Sequence, residues 1–211
     1  MKHLLSLCVL LLLCLNLSFA QRQFGVKVGA SFGDIVENIE VAAENTLGFE
    51  ALAYDTKVNP QLGIWFDFPL TDRLSVQPEL LWTQKDLHPT DNNPMDSYIT
   101  FHYFSLPVLA KYQFGKFRVE LGPETSFLLD QSFRNVNSPL DDSPDIEEHV
   151  LELAINIGVQ YTYNRWTIGA RASRDVTTFR DFQFTDINGE LTGSIRNFHQ
   201  NGVIWVGYQI L

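Results

Sequence analysis

Eight stretches of this chain alternate apolar and polar residues with a period of two, and the connections between them run long, short, long, short, long, short, long. Period-two alternation marks strands with one apolar and one polar face. The clearest case is the hairpin from Tyr103 to Asp130, folded at Gly115-Lys116. Phe104, Leu106, Val108, Ala110, Tyr112 and Phe114 share one face; Ser105, Pro107, Leu109, Lys111 and Gln113 share the other. Phe117, Val119, Leu121, Pro123, Thr125 and Phe127 then alternate with Arg118, Glu120, Gly122, Glu124 and Ser126. Each arm is about ten residues, twice the common strand length of about five or six. Tilted strands of about 9–11 residues cross a bilayer.

The other strands are expected at 22–32, 61–70, 73–85, 150–163, 166–174 and 197–211. The short turns are Thr71-Asp72, Gly115-Lys116 and Asn164-Arg165; the long connections include Gly33–Asn59, Asp86–Ser97, Gln131–His149 and 175–196, the last with room for strand extensions around Phe182 and Phe184. Up-and-down membrane barrels have an even strand count, short periplasmic turns and long external loops. A Greek-key sandwich has no reason to alternate its connections so strictly. The expected fold is therefore all-β: an eight-stranded antiparallel up-and-down transmembrane β-barrel over residues 21–211. Closure pairs every backbone group, as strands in lipid require. The best helix candidate, Ile35 to Glu44, lies inside the first long connection. Aromatics near strand ends, among them Phe24, Trp82, Phe114, Phe117, Tyr163 and Trp166, suit interfacial girdles.

Residues 1–20 read as a secretory signal peptide: Lys2 and His3, an apolar run from Leu4 to Leu15, and Ser18-Phe19-Ala20 as the cleavage site. Both cysteines, Cys8 and Cys14, fall inside it, and Leu13 stands where a lipid-attachment cysteine needs a small residue. The mature chain is expected to lack disulfides, thiol catalysis and thiolate metal sites. Removing Lys2 with the leader takes the formal net charge from −10 to −11. Nucleic acid, which needs a basic footprint, is not an expected partner.

The polar faces carry the charges Lys27, Asp67, Glu79, Lys111, Arg118, Glu120, Glu124 and Arg171. An eight-stranded barrel is just wide enough for side chains to fill, and buried charges must be paired. These residues are expected to form a closed salt-bridge plug rather than a pore. No catalytic, cofactor or metal site is expected. His102 and His149, near Glu147 and Glu148, are the only candidates for a rim-sited hydrolase, and nothing supplies a nucleophile. The acidic run 141–148 has the carboxylates a Ca²⁺ site uses but lacks the spacing and glycine of an EF-hand loop, and reads as a solvated face. The Gly63-Ile64-Trp65 tripeptide is similar to one in soluble lipid-binding barrels, but it lies on the second strand here and is read as coincidence.

FGVKVGASF at 24–32, LSVQPELLWTQKD at 74–86, YFSLPVLAKYQFG at 103–115, VELGPETSFLL at 119–129 and IGARAS at 168–173 resemble the PorT-like outer-membrane β-barrel family of Bacteroidota. The matching elements are Gly25, Lys27 and Gly29; Gln77, Pro78, Glu79 and Leu80; Pro107, Lys111 and Tyr112; Gly122 and Pro123; Gly169 and Arg171. The resemblance covers nearly the whole mature chain and implies the outer membrane more firmly than a task. The family's namesake is similar to components needed for protein secretion. The chain departs from such barrels in ending on Leu211 rather than an aromatic residue.

The expected role is a monomeric, non-enzymatic barrel in outer-membrane lipid, contacting a protein partner through the external loops 33–59 and 175–196. The alternative is a soluble exported barrel binding an apolar ligand, which requires Phe66, Leu106, Val119 and Ile157 to face inward.

Overall fold

The computed structural model describes residues 23–41, 58–87, 97–135, 150–178, 180–185 and 191–211. The leader, His88, the acidic run 141–148 and His149 lie outside the described residues. The strands are β1 (Gln23–Val41), β2 (Val58–Pro69), β3 (Leu74–Leu87), β4 (Ser97–Phe114), β5 (Phe117–Asn135), β6 (Leu151–Tyr163), β7 (Trp166–Asp175), β8 (Arg180–Thr185) and β9 (Leu191–Gln209). Each pairs antiparallel with its chain neighbour through β7, and β1 pairs with β9 to close the sheet. β7 and β8 both lie along β9, so they form one broken stave and the barrel has eight.

The turns follow the backbone chemistry. Gly115 has φ 61° and Asn164 has φ 56°, the left-handed region that glycine and asparagine tolerate in tight hairpins. The β2–β3 ladder skips between Trp65↔Glu79 and Phe68↔Val76, beside Pro78, which has no N–H to donate to it. A bulge in β5 between His102↔Asp130 and Tyr103↔Leu128 shifts the register near the long-connection end.

Two expectations are corrected. The helix candidate is strand as far as Val41: every residue from Gly33 to Val41 pairs with Asn201 back to Gly193. β-Branched Ile35, Val36, Ile39 and Val41 favour the sheet, and the β9 ladder gives each backbone group a partner. The loop 33–59 is likewise shorter than expected, since β1 and β2 extend into it; in 175–196, β8 covers Phe182 and Phe184, where strand extensions are expected, and β9 begins earlier than expected, at Leu191.

The faces decide the solvent. Lys27, Glu79 and Glu120 are 2–3% exposed, whereas Val28 is 57%, Leu121 56% and Ile157 62% exposed. Phe66, Leu106, Val119 and Ile157 all stand outward, against the soluble ligand-binding reading. No helix among the described residues is long and apolar enough to cross a membrane; the apolar outer wall is made of strands, as in barrels that span lipid. Aromatic pairs ring the short-turn end: Tyr112–Phe114 at 4.6 Å, Phe117–Tyr161 at 5.1 Å and Trp166–Tyr208 at 4.9 Å between centroids. Trp82, Phe104 and Phe127 sit side by side towards the other end.

Candidate functional site: the charged lumen

Lumen residues come from one parity of each strand, and that parity brings charges from distant segments together. In the central layer, Glu79 of β3 accepts Lys27 Nζ at 2.6 Å, and Arg171 Nη1 and Nη2 at 2.8 and 2.9 Å. Gln77 Nε2 adds a fourth bond to Glu79 at 2.7 Å. Arg171 Nε donates to Glu120 at 2.7 Å, and Lys111 Nζ lies 3.3 Å from the other Glu120 oxygen. Lys111 also donates to Gln77 Oε1 at 2.6 Å. A planar guanidinium suits this position because its fork serves two carboxylates at once. Lys27 Nζ further sits 4.8 Å from the Trp205 ring centroid.

Nearer the short turns, Arg118 Nη1 pairs with Asp67 at 2.9 Å and Arg118 Nε donates to Gln113 at 3.2 Å. Above the central layer, Glu124 accepts Asn156 Nδ2 at 2.9 Å and Ser126 Oγ at 3.1 Å. Thus seven of the eight residues singled out in the sequence meet an opposite charge inside the barrel. Glu124 is held by an amide and a hydroxyl instead.

A second cluster, towards the long connections, was missed by sequence reasoning. Lys85 Nζ lies 3.1 Å from Glu152, whose other oxygen accepts the Tyr103 hydroxyl. His199 Nδ1 stands 3.3 Å from both Glu152 Oε2 and Asp175 Oδ2. Glu152, Asp175 and His199 place ligand-type atoms within 4.8 Å of one another. Lys85 Nζ is also 3.4 Å from His199 Nδ1 and 4.3 Å from the Tyr103 ring centroid, so an ammonium already serves these carboxylates. The signal for this cluster was the parity of Glu152, between outward Leu151 and Leu153. The rim histidine pair is not assembled among the described residues: His102 is on the outward parity of β4 and stacks on Trp82 at 5.5 Å.

Two tryptophans complete the filling near the short turns. Trp65 and Trp205 are 5% and 2% exposed. A Cβ on Gly25 would overlap the Trp65 ring, and one on Gly169 would overlap the Trp205 ring, so glycine is required where the indoles lie against the wall. A cavity of about 480 Å³ opens at the short-turn end and reaches Asp67, Lys111 and Arg118; beyond the central layer, a cavity of about 20 Å³ lies beside Arg171 and Lys85.

A closed barrel with an apolar outer wall, aromatic girdles and an ion-paired lumen is an integral outer-membrane β-barrel. The chain belongs to the family described as outer membrane protein beta-barrel domain, whose model matches residues 19–196. Among solved structures it is similar to OprG of Pseudomonas aeruginosa, at 12% identity over 89% of this chain and 96% of that one, with a TM-score of 0.49. It is also similar to Ail, the attachment invasion locus protein of Yersinia pestis, at 10% identity over 90% and 99% of the two chains, with a TM-score of 0.46. Outer Membrane Protein W of E. coli matches at 16% identity over 89% of this chain and 97% of that one, with a TM-score of 0.41. No curated protein matches the sequence significantly.

Proposed function

We propose that this protein is a non-enzymatic, monomeric barrel of the PorT-like group, exported by a signal peptide cleaved after Ala20, whose task is to bind a protein partner. The observation that carries the reading is the lumen: Arg171 bridges Glu79 and Glu120 across the barrel at 2.7–2.9 Å. Such a core fixes register and leaves no conducting path, so activity moves to the ends. The contact surface is the rim formed by segments 33–59 and 175–196, in keeping with long connections on rigid scaffolds carrying binding. A role beside protein secretion follows from the resemblance to the group's namesake.

The test is crosslinking in the native outer membrane, with a photoreactive residue placed in turn in segments 33–59 and 175–196 and at the Thr71-Asp72 turn. A rim-directed partner gives one discrete adduct from the first two positions and none from the third. Adducts from the turn alone would move the partner to the periplasmic side, and conductance steps from the purified barrel in planar bilayers would replace the binding reading with a pore.

A further inference from the structure

We propose that the groove where β7 stops and β8 begins holds the phosphate headgroup and upper chain of an anionic lipid from the leaflet on the long-connection side. This goes beyond the partner-binding reading and does not depend on it. β7 ends at Asp175 and β8 begins at Arg180. Between them the chain leaves the β9 ladder and turns onto β6: Val176 N donates to Leu153 O at 2.8 Å, and Thr177 Oγ1 accepts Leu153 N at 2.8 Å. The break leaves a groove of about 680 Å³ in the outer wall, lined by Val150, Leu151, Val176, Thr177, Phe198 and Arg196.

The height of the groove follows from strand geometry. Trp166 and Tyr208, in ring contact, mark the short-turn boundary of the apolar band. Val176 and Phe198 each lie about ten residues further along their strands, which at about 3.3 Å per residue and about 40° of tilt is about 25 Å. That is the height of the apolar band of a membrane barrel, so the groove lies at the opposite boundary. Its floor is exposed and apolar, with Val150 63%, Leu151 47% and Val176 60% exposed.

Arg196 is exposed and two residues beyond Phe198 on the outward parity, about 5 Å further out by the same geometry. That is the level of lipid phosphates. A guanidinium presents five donors in a fork that matches phosphate oxygens, so a bond within the protein leaves donors for a lipid. Exposed Arg174, two residues before Val176 and so about 5 Å to the membrane side of it by the same geometry, is a second outward cation within side-chain reach of the boundary. On a chain with a net charge of −10, cations on the outer wall beside an apolar groove point to an anionic amphiphile.

The test uses the mature barrel reconstituted in phosphatidylcholine vesicles doped with a minority of phosphatidylglycerol, extracted gently and examined by native mass spectrometry. The wild type is expected to retain phosphatidylglycerol in preference to phosphatidylcholine. Arg196→Gln should lower that preference about tenfold, the factor one charge-assisted hydrogen bond carries. Arg196→Lys should keep part of it, and Arg73→Gln, at the other end, all of it. Each variant is checked for the faster unboiled gel mobility of a closed barrel. Equal retention of both lipids by the wild type overturns the proposal, and that arm needs no variant to fold. So does a preference unchanged in a folded Arg196→Gln, or a polypeptide rather than a lipid held at the groove.

Discussion

Replacing Glu79 with alanine removes the acceptor at the centre of the lumen. Lys27, Arg171 and Gln77 together place four hydrogen bonds on its two oxygens, at 2.6–2.9 Å. After truncation Arg171 keeps its bond to Glu120, whereas Lys27 loses its carboxylate hydrogen bond and is left with the Trp205 ring face, 4.8 Å away, and the more distant charge of Glu120. Three cations then face the single carboxylate of Glu120 in a layer that is almost fully buried. Removing one partner of a buried pair costs about 3–5 kcal/mol, and the number of bonds lost places this variant near the top of that range. Against a typical domain stability of about 5–15 kcal/mol, the midpoint of unfolding should fall sharply. Equilibrium urea unfolding in detergent, followed by tryptophan fluorescence and by the mobility of unboiled samples, reads the loss. Conductance in planar bilayers should stay at background, because Arg171, Glu120, Lys111 and the two tryptophans still fill the section. A loss below about 1 kcal/mol, the scale of an exposed pair, would refute the reasoning, and so would large stable channels.

Arg118→Ala should cost less than Glu79→Ala and likewise open no conductance, because the Arg118 side chain is 19% exposed and the Asp67 left behind adjoins the open cavity; the same urea titration ranks the two. Ile157→Arg, at a residue 62% exposed on the outer wall, should destabilise the barrel in lipid by about 2–4 kcal/mol; an unchanged midpoint in vesicles would take that face out of the membrane. Gly169→Val should block assembly, since its side chain would occupy the space of the Trp205 ring, and Gly169→Val with Trp205→Ala should regain the heat-dependent gel shift. Glu152→Gln should weaken the second cluster by leaving Lys85 and His199 with poorer acceptors, with Asp175 still beside His199; native-state proteolysis towards the long connections is the sensitive readout.

The central layer was legible because lipid outside and a narrow lumen inside leave a charged residue one place to go. Once alternate residues are known to face lipid, Lys27, Glu79, Lys111, Glu120 and Arg171 can only meet one another. The second cluster was hidden for three local reasons. Asp175 opens a segment read as loop, His199 follows that loop, and the strand holding Glu152 was read by its apolar face alone. The extension of β1 was hidden differently: from Asp34 to Val41 adjacent polar and apolar residues break the alternation, and the pairing depends on β9, about 160 residues away by sequence. The bulge near Leu129 leaves no mark in composition, yet it sets which side chains of β5 face inward beyond that point.

The lengths of the strands bear on where the protein acts. β1, β5 and β9 are each 19 residues long. At about 3.3 Å per residue and about 40° of tilt, such a strand rises about 48 Å, nearly twice the apolar band of about 25 Å. β9 begins its ladder with β1 at the short-turn boundary, so its excess stands on the long-connection side, where it is flanked by β1 and β8. The segments expected as loops are therefore partly a hydrogen-bonded three-stranded sheet that continues beyond the apolar band. A ladder fixed before binding loses less conformational freedom than a flexible loop when a partner docks. With the lumen filled by ion pairs, that sheet and the groove beneath it are where binding by this barrel is proposed to occur.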